Sequence, residues 1–132
     1  MATIIKFEEL EIWQKARTLS KDIFLYIEEG GFKKDYKLID QINAASGSIM
    51  DNIAEGFERS SKLEFINFLS YSKGSTGEVK SQLYRAFDRN YLNEEKFQHF
   101  YKRADEITKM NTSFISYLNQ ANIKGQKFKD RL

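Results

Sequence analysis

No proline interrupts the 132 residues of this chain. Proline breaks helix interiors and punctuates loops, so a chain without it is free to run in long helices with short links. Hydrophobic spacing uses that freedom four times. The first segment, Phe7 to Glu29, places Leu10, Trp13, Ala16, Leu19, Ile23 and Ile27 on one helical stripe. Gly30-Gly31 follows as a stop, since glycine takes the left-handed conformation that ends helices. The second segment, Tyr36 to Glu58, has Asp35 as its N-cap and Leu38, Ile42, Ala45, Ile49, Ile53 and Phe57 as its stripe.

The third segment begins at Ser61, where Ser61 and Glu64 have the spacing of a capping box. Its stripe has a small polar middle: Phe65, Leu69, Ser72, Thr76, Val79, Leu83, Ala86. Asn90 is placed to end it in a left-handed conformation, and Asn93 to cap the fourth segment. The fourth stripe, Phe97, Phe100, Ala104, Ile107, Asn111, Phe114, Leu118, Ala121, keeps a strict three-four rhythm, the mark of a bundle seam. Four helices with links this short must run antiparallel to their neighbours. The expected fold is all-α, an up-down-up-down antiparallel four-helix bundle over residues 1–121. A basic C-terminal tail, 122–132, loses the pattern.

Composition narrows the function classes. Charged residues make up 30% and apolar residues 41%, the balance of a soluble globular domain. The N-terminus lacks a signal-peptide apolar run, and no stretch approaches the roughly 20 apolar residues of a membrane span. Cysteine is absent, which removes disulfides, thiolate metal sites and a cysteine nucleophile, and fits a reducing cytoplasm. The net charge of +2 is too small to argue for nucleic acid, but it is unevenly spread. Residues 1–60 carry 8 basic and 11 acidic side chains, and residues 61–132 carry 13 and 8. A basic face on the second half is one reading, and ordinary solvated helix surface is the simpler one.

Catalytic chemistry finds little support. A bundle di-iron site needs Glu-x-x-His on two helices, and the only histidine, His99, has Lys96 three residues before it. One histidine without a nucleophile elbow makes no serine triad. GSTGEVK, Gly74 to Lys80, lacks the spacing of a phosphate loop and falls inside a helix. Glu55 and Glu78 are candidate paired carboxylates if the second and third helices face each other. The structural reading, hydrogen bonding near a core, outweighs the catalytic one. No catalytic residue, cofactor or metal is expected.

The stretch NIAEGFERSS, Asn52 to Ser61, is the least ordinary in the chain. Ser48, Asn52, Glu55 and Arg59 share one helix face, and Gly56 adjoins it. The third helix offers a matching set in Tyr71, Gly74, Ser75, Glu78 and Gln82. Glycine costs about 1 kcal/mol in a helix interior relative to alanine, so Gly56 and Gly74 should be offset by close contacts. Asn52, Glu55, Gly56, Gly74, Ser75 and Glu78 are therefore expected to form a structural contact motif, within the bundle or between subunits.

Three pieces of the chain also resemble a known family: FEELEIWQKA (7–16), SIMDNIAEGFERSS (48–61), and FINFLSYSKGSTGEVKSQL (65–83) followed by Tyr91-Leu92. The family is that of bacterial four-helix-bundle proteins named for the intervening sequences of 23S ribosomal RNA genes. The resemblance spans about residues 7–120. It implies the bundle and also a ring. Relatives, among them the accessory protein of diversity-generating retroelements, form barrel-shaped homopentamers, and in that accessory protein a basic surface engages nucleic acid and reverse transcriptase. This chain departs from many relatives at Gln41-Ile42-Asn43-Ala44, where they carry Q-I-R-R.

The expected function is a non-enzymatic oligomeric scaffold that contacts RNA or DNA. The candidate contacts are Lys73, Lys80, Arg85 and Arg89 on the third helix, Lys102, Arg103 and Lys109 on the fourth, and the tail. The alternative is a protein–protein adaptor without nucleic acid, favoured by the low net charge and the missing arginine pair. A homo-oligomer is expected in either case, because Phe24, Phe68, Tyr84 and Tyr101 fall beside the stripes.

Overall fold

A computed structural model describes residues 3–121 of the protein. The basic tail at 122–132 lies outside the described residues. Four helices follow one another: α1 (Glu11–Glu28), α2 (Tyr36–Glu58), α3 (Lys62–Asp88) and α4 (Glu94–Gln120). Each packs on two neighbours in cyclic order, α2 against α3 most extensively and α1 against α4 least. The register is antiparallel throughout. Arg85 reaches Gln41 near one end of the α2–α3 pair, and Gly56 abuts Phe68 near the other. The predicted up-down-up-down bundle is the fold.

The stripes named from spacing form the core. Ala16, Leu19, Leu38, Ile42, Ile49, Ile53, Leu69, Val79, Leu83 and Ala104 have no exposed surface. Helix ends follow from local chemistry. Gly30 takes φ +87°. The Gly31 and Gly30 amides donate to the carbonyls of Tyr26 and Ile27, which satisfies two orphan acceptors at the end of α1. Asn90, at φ 63°, repeats the device for α3, with Tyr91 and Asn90 donating to Ala86 and Phe87. Asp35, Ser61 and Asn93 accept from the Leu38, Glu64 and Lys96 amides as N-caps. The Ser61 capping box is only half formed, because the Glu64 carboxylate turns to Arg59 at 3.2 Å.

The first helix begins later than its spacing suggests. Phe7–Glu9 is a separate 3₁₀ turn, and Leu10 is extended. The Glu9 carboxylate accepts the Ile5 amide at 2.9 Å, which closes the turn before the α-helix starts. This lets the Phe7 ring meet Trp13 edge-on at 5.0 Å.

A polar layer crosses the middle of the bundle. Ser72 donates its hydroxyl to the Ile49 carbonyl at 2.9 Å, and Ser20 meets Ser46 at 3.3 Å. The fully buried Asn111 donates to Ile107 O, while its Oδ1 has no partner. One unmet acceptor costs about 1–3 kcal/mol, and a slid register would strand more of these groups. The layer thus specifies alignment at some expense of stability.

Candidate functional site

The second and third helices meet along NIAEGFERSS, and the structure separates the residues of the contact motif. Gly56 is buried in the helix contact. A Cβ there would stand 2.6 Å from Phe68 Cβ and 3.0 Å from the Phe65 ring. Gly74 is exposed, and a Cβ added to it would meet nothing within 4 Å. Gly77 on α3 is also exposed and Gly47 on α2 is half-buried, and a Cβ added to either would likewise meet nothing within 4 Å. Close approach within the chain therefore accounts for Gly56 and leaves the other three glycines without an internal partner.

Asn52 is half-buried and donates its side-chain amide to the Ser48 carbonyl at 2.9 Å. Glu55 is exposed and pairs with Arg59 at 2.7 Å. Arg59 in turn lies over the Phe68 ring at 4.9 Å. Ser75 is buried, and Glu78 lies at the surface of a shallow groove between α2 and α3. Gln41, Ala44, Ser48 and Gln82 also line that groove, which encloses about 260 Å³. Glu78 faces Ser48 there, so Glu55 lies about 10 Å further along α2, at 1.5 Å per residue. The two carboxylates do not form a pair.

The candidate nucleic-acid cations are mostly engaged. Lys80 binds Asp105 at 2.6 Å, and Lys109 binds the same carboxylate at 3.3 Å. Arg89 binds Asp35 at 2.8 Å, Arg103 binds Asp22 at 2.8 Å, and Arg85 donates to Gln41 at 3.0 Å. Of the seven, four make ion pairs, Arg85 makes only its hydrogen bond to the neutral Gln41, and Lys73 and Lys102 make neither among the described residues. Lys102 shares a shallow groove on α4 with Arg103 and Lys109, but Asp105 and Glu106 line it too, so the charge there is mixed. No group of His, Asp and Glu among the described residues is placed to hold a metal ion. His99 is exposed and meets Arg103. Among the described residues no helix is long and apolar enough to cross a membrane.

At one end of the bundle lies a network that sequence spacing does not reveal. Tyr26 donates its hydroxyl to the Tyr91 carbonyl, Tyr91 donates its own to Asp35 at 2.9 Å, and Arg89 holds the same carboxylate. The α1–α2 and α3–α4 links are thereby tied together. Arg89, then Tyr91, hold the Asp35 carboxyl below its ordinary value of 3.8. Lys80, then Lys109, do the same for Asp105. A depressed folded-state value means these contacts stabilise fully above the unfolded value, and the gain drains away as pH falls through the folded one. Urea denaturation across an acid series should therefore show stability dropping below about pH 4, with a shallower drop in Asp35→Asn. An unchanged slope in that variant would remove Asp35 from the account.

Comparison with known proteins gives the following. The model of a family described as 23S rRNA-intervening sequence protein matches residues 8–113. The 1.70 Å crystal structure of a protein with unknown function from the S23 ribosomal protein family of Bacteroides thetaiotaomicron VPI-5482 is similar. It matches with a TM-score of 0.74 and 25% identity, over 79% of this chain and 97% of that one. Among curated proteins none matches.

Proposed function

The chain belongs to the 23S rRNA-intervening sequence protein family, and on that premise we propose that it is a non-enzymatic scaffold that self-assembles through protein–protein contacts. The observation that carries this reading is the set of helix-interior glycines that open onto solvent. Gly74 and Gly77 each cost α3 about 1 kcal/mol relative to alanine, and no internal contact offsets it. A second chain's backbone approaching that face would. Leu63 and Tyr71, 67% and 57% exposed, lie on the same outward side of α3 as Gly74. Exposed apolar groups beside a small-residue strip fit a protein contact better than a phosphate backbone.

The nucleic-acid form of the scaffold has weaker support, because five of its seven candidate cations already serve internal pairs or hydrogen bonds. Phosphate binding would have to break them. Light scattering at micromolar concentration should give a multiple of the 15.5 kDa chain mass, five by analogy with the relatives. A monomer mass refutes assembly. Filter binding at about 50 mM salt should retain no RNA or DNA. Retention that falls steeply with added salt would restore the nucleic-acid reading instead.

A further inference from the structure

We propose that the outward face of α1 on one chain docks head to tail against the outward face of α3 on a second copy. The inference rests on the self-assembly reading and names the other half of that joint. Opposite its core stripe, α3 carries a row of small exposed residues at steps of three and four: Asn67, Ser70, Gly74, Gly77 and Ser81. A row this shallow suits a helix whose own side chains project. The outward side of α1 is of that kind. Phe24 and Leu25 are 47% and 44% exposed, and Lys21 beside them is exposed without an ion pair among the described residues. The helices pack in cyclic order, so α1 and α3 stand at opposite corners and their outward faces point apart. One chain cannot bring the two faces together. A head-to-tail contact does, and it leaves one of each free to close a ring or extend a filament.

Charge on the two faces is matched at equal height. Ser20 meets Ser46, Ser72 meets Ile49 and Arg85 meets Gln41. Counting along the helices from these contacts puts Lys21 level with Glu78, and Glu28 level with Arg85, to within about one helical turn. Phe24 and Leu25 fall level with Ser81 by the same count. A cyclic assembly has no rise along its axis, so with that axis along the helices, residues of equal height meet. Lys21 then faces Glu78 and Glu28 faces Arg85. Glu28 and Glu78 are exposed and make no ion pair among the described residues. Arg85 bonds the neutral Gln41 and keeps further N–H donors. An independent observation marks the same place. Gln82 lines the groove beside Glu78 at 8% exposure, and its Oε1 accepts no hydrogen bond. An ammonium carries three N–H groups, enough for the Glu78 carboxylate and this oxygen. Lys21 of a second chain supplies what the single chain leaves unmet.

Zero-length carbodiimide cross-linking of mixed isotopically labelled and unlabelled full chains, mapped by mass spectrometry, tests the pairing. Lys21 of one chain should link to Glu78 of another. Glu78 linked only to other lysines, or to none, overturns the proposal. Charge exchange gives a second measurement. Lys21→Glu and Glu78→Lys alone should each raise the concentration at half-assembly about tenfold or more, because like charges then face each other. Combined in one chain they should restore wild-type assembly. Both side chains are exposed, so helical circular dichroism should stay unchanged in all three variants. Single variants that assemble as the wild type does, or a double variant that recovers nothing, overturn the pairing while leaving self-assembly in place. A wild-type chain that stays monomeric removes the self-assembly reading and the pairing with it.

Discussion

Phe32→Ala is expected to cost about 3–5 kcal/mol of unfolding free energy, the range for truncating a fully buried aromatic side chain. Phe32 sits in the link between α1 and α2 with 1% exposure. Its ring stacks on Tyr91 at 5.7 Å and meets Tyr26 edge-on at 6.1 Å. Both tyrosines belong to the network that fastens this link to the one between α3 and α4. The cavity left by alanine would have to be filled by moving rings whose hydroxyls are already engaged by the Tyr91 carbonyl and Asp35. Collapse is therefore restricted, which puts the loss towards the upper part of the range. Urea denaturation followed by helical circular dichroism gives the value. A loss under about 1 kcal/mol would mean that the ring is not packed as described.

Periodicity explains why the core could be read from spacing and why Phe32 could not. Ile42, Ile49 and Ile53 repeat at helical intervals, so each supports the inference for the next. A single loop residue that plugs one end of a bundle has no repeat to announce it. Helix ends were legible where one residue supplies the chemistry, as at Asn90 and Asn93. The start of α1 was not, because Glu9 competes for the amides of Ile5 and Lys6. The basic residues of α3 and α4 looked free in sequence for a similar reason. Arg89 finds Asp35, Lys80 finds Asp105 and Arg103 finds Asp22 only once the chain is folded. The groove glutamine Gln82 was visible as part of a polar face, but its unmet oxygen was not. Satisfaction of a hydrogen bond depends on what the neighbouring helix brings.

Alanine substitutions at Gly56 and Gly74 should move stability in opposite directions, although the two glycines look alike in the sequence. At Gly56 the new Cβ would lie 2.6 Å from Phe68 Cβ, an atom fixed to the α3 backbone. Relief requires α2 and α3 to separate, and overpacking of this kind costs about 1–3 kcal/mol. The helix-propensity gain of about 1 kcal/mol offsets part of it, leaving about 2 kcal/mol lost if strain is near the upper end. At Gly74 the Cβ meets open space, so the isolated protomer should gain about 1 kcal/mol. A bulkier Gly74→Leu leaves the protomer folded but obstructs the outward face of α3. If that face joins subunits, light scattering of Gly74→Leu should fall to the monomer mass while its helical circular dichroism is retained. If Gly74→Leu assembles as the wild type does, the solvent-facing glycines serve some other contact and the α3 face is not the joint. The pair separates two settings of glycine in this bundle: Gly56 brings two helices of the same chain together, whereas Gly74 opens onto solvent, where the proposed assembly would seat a second chain.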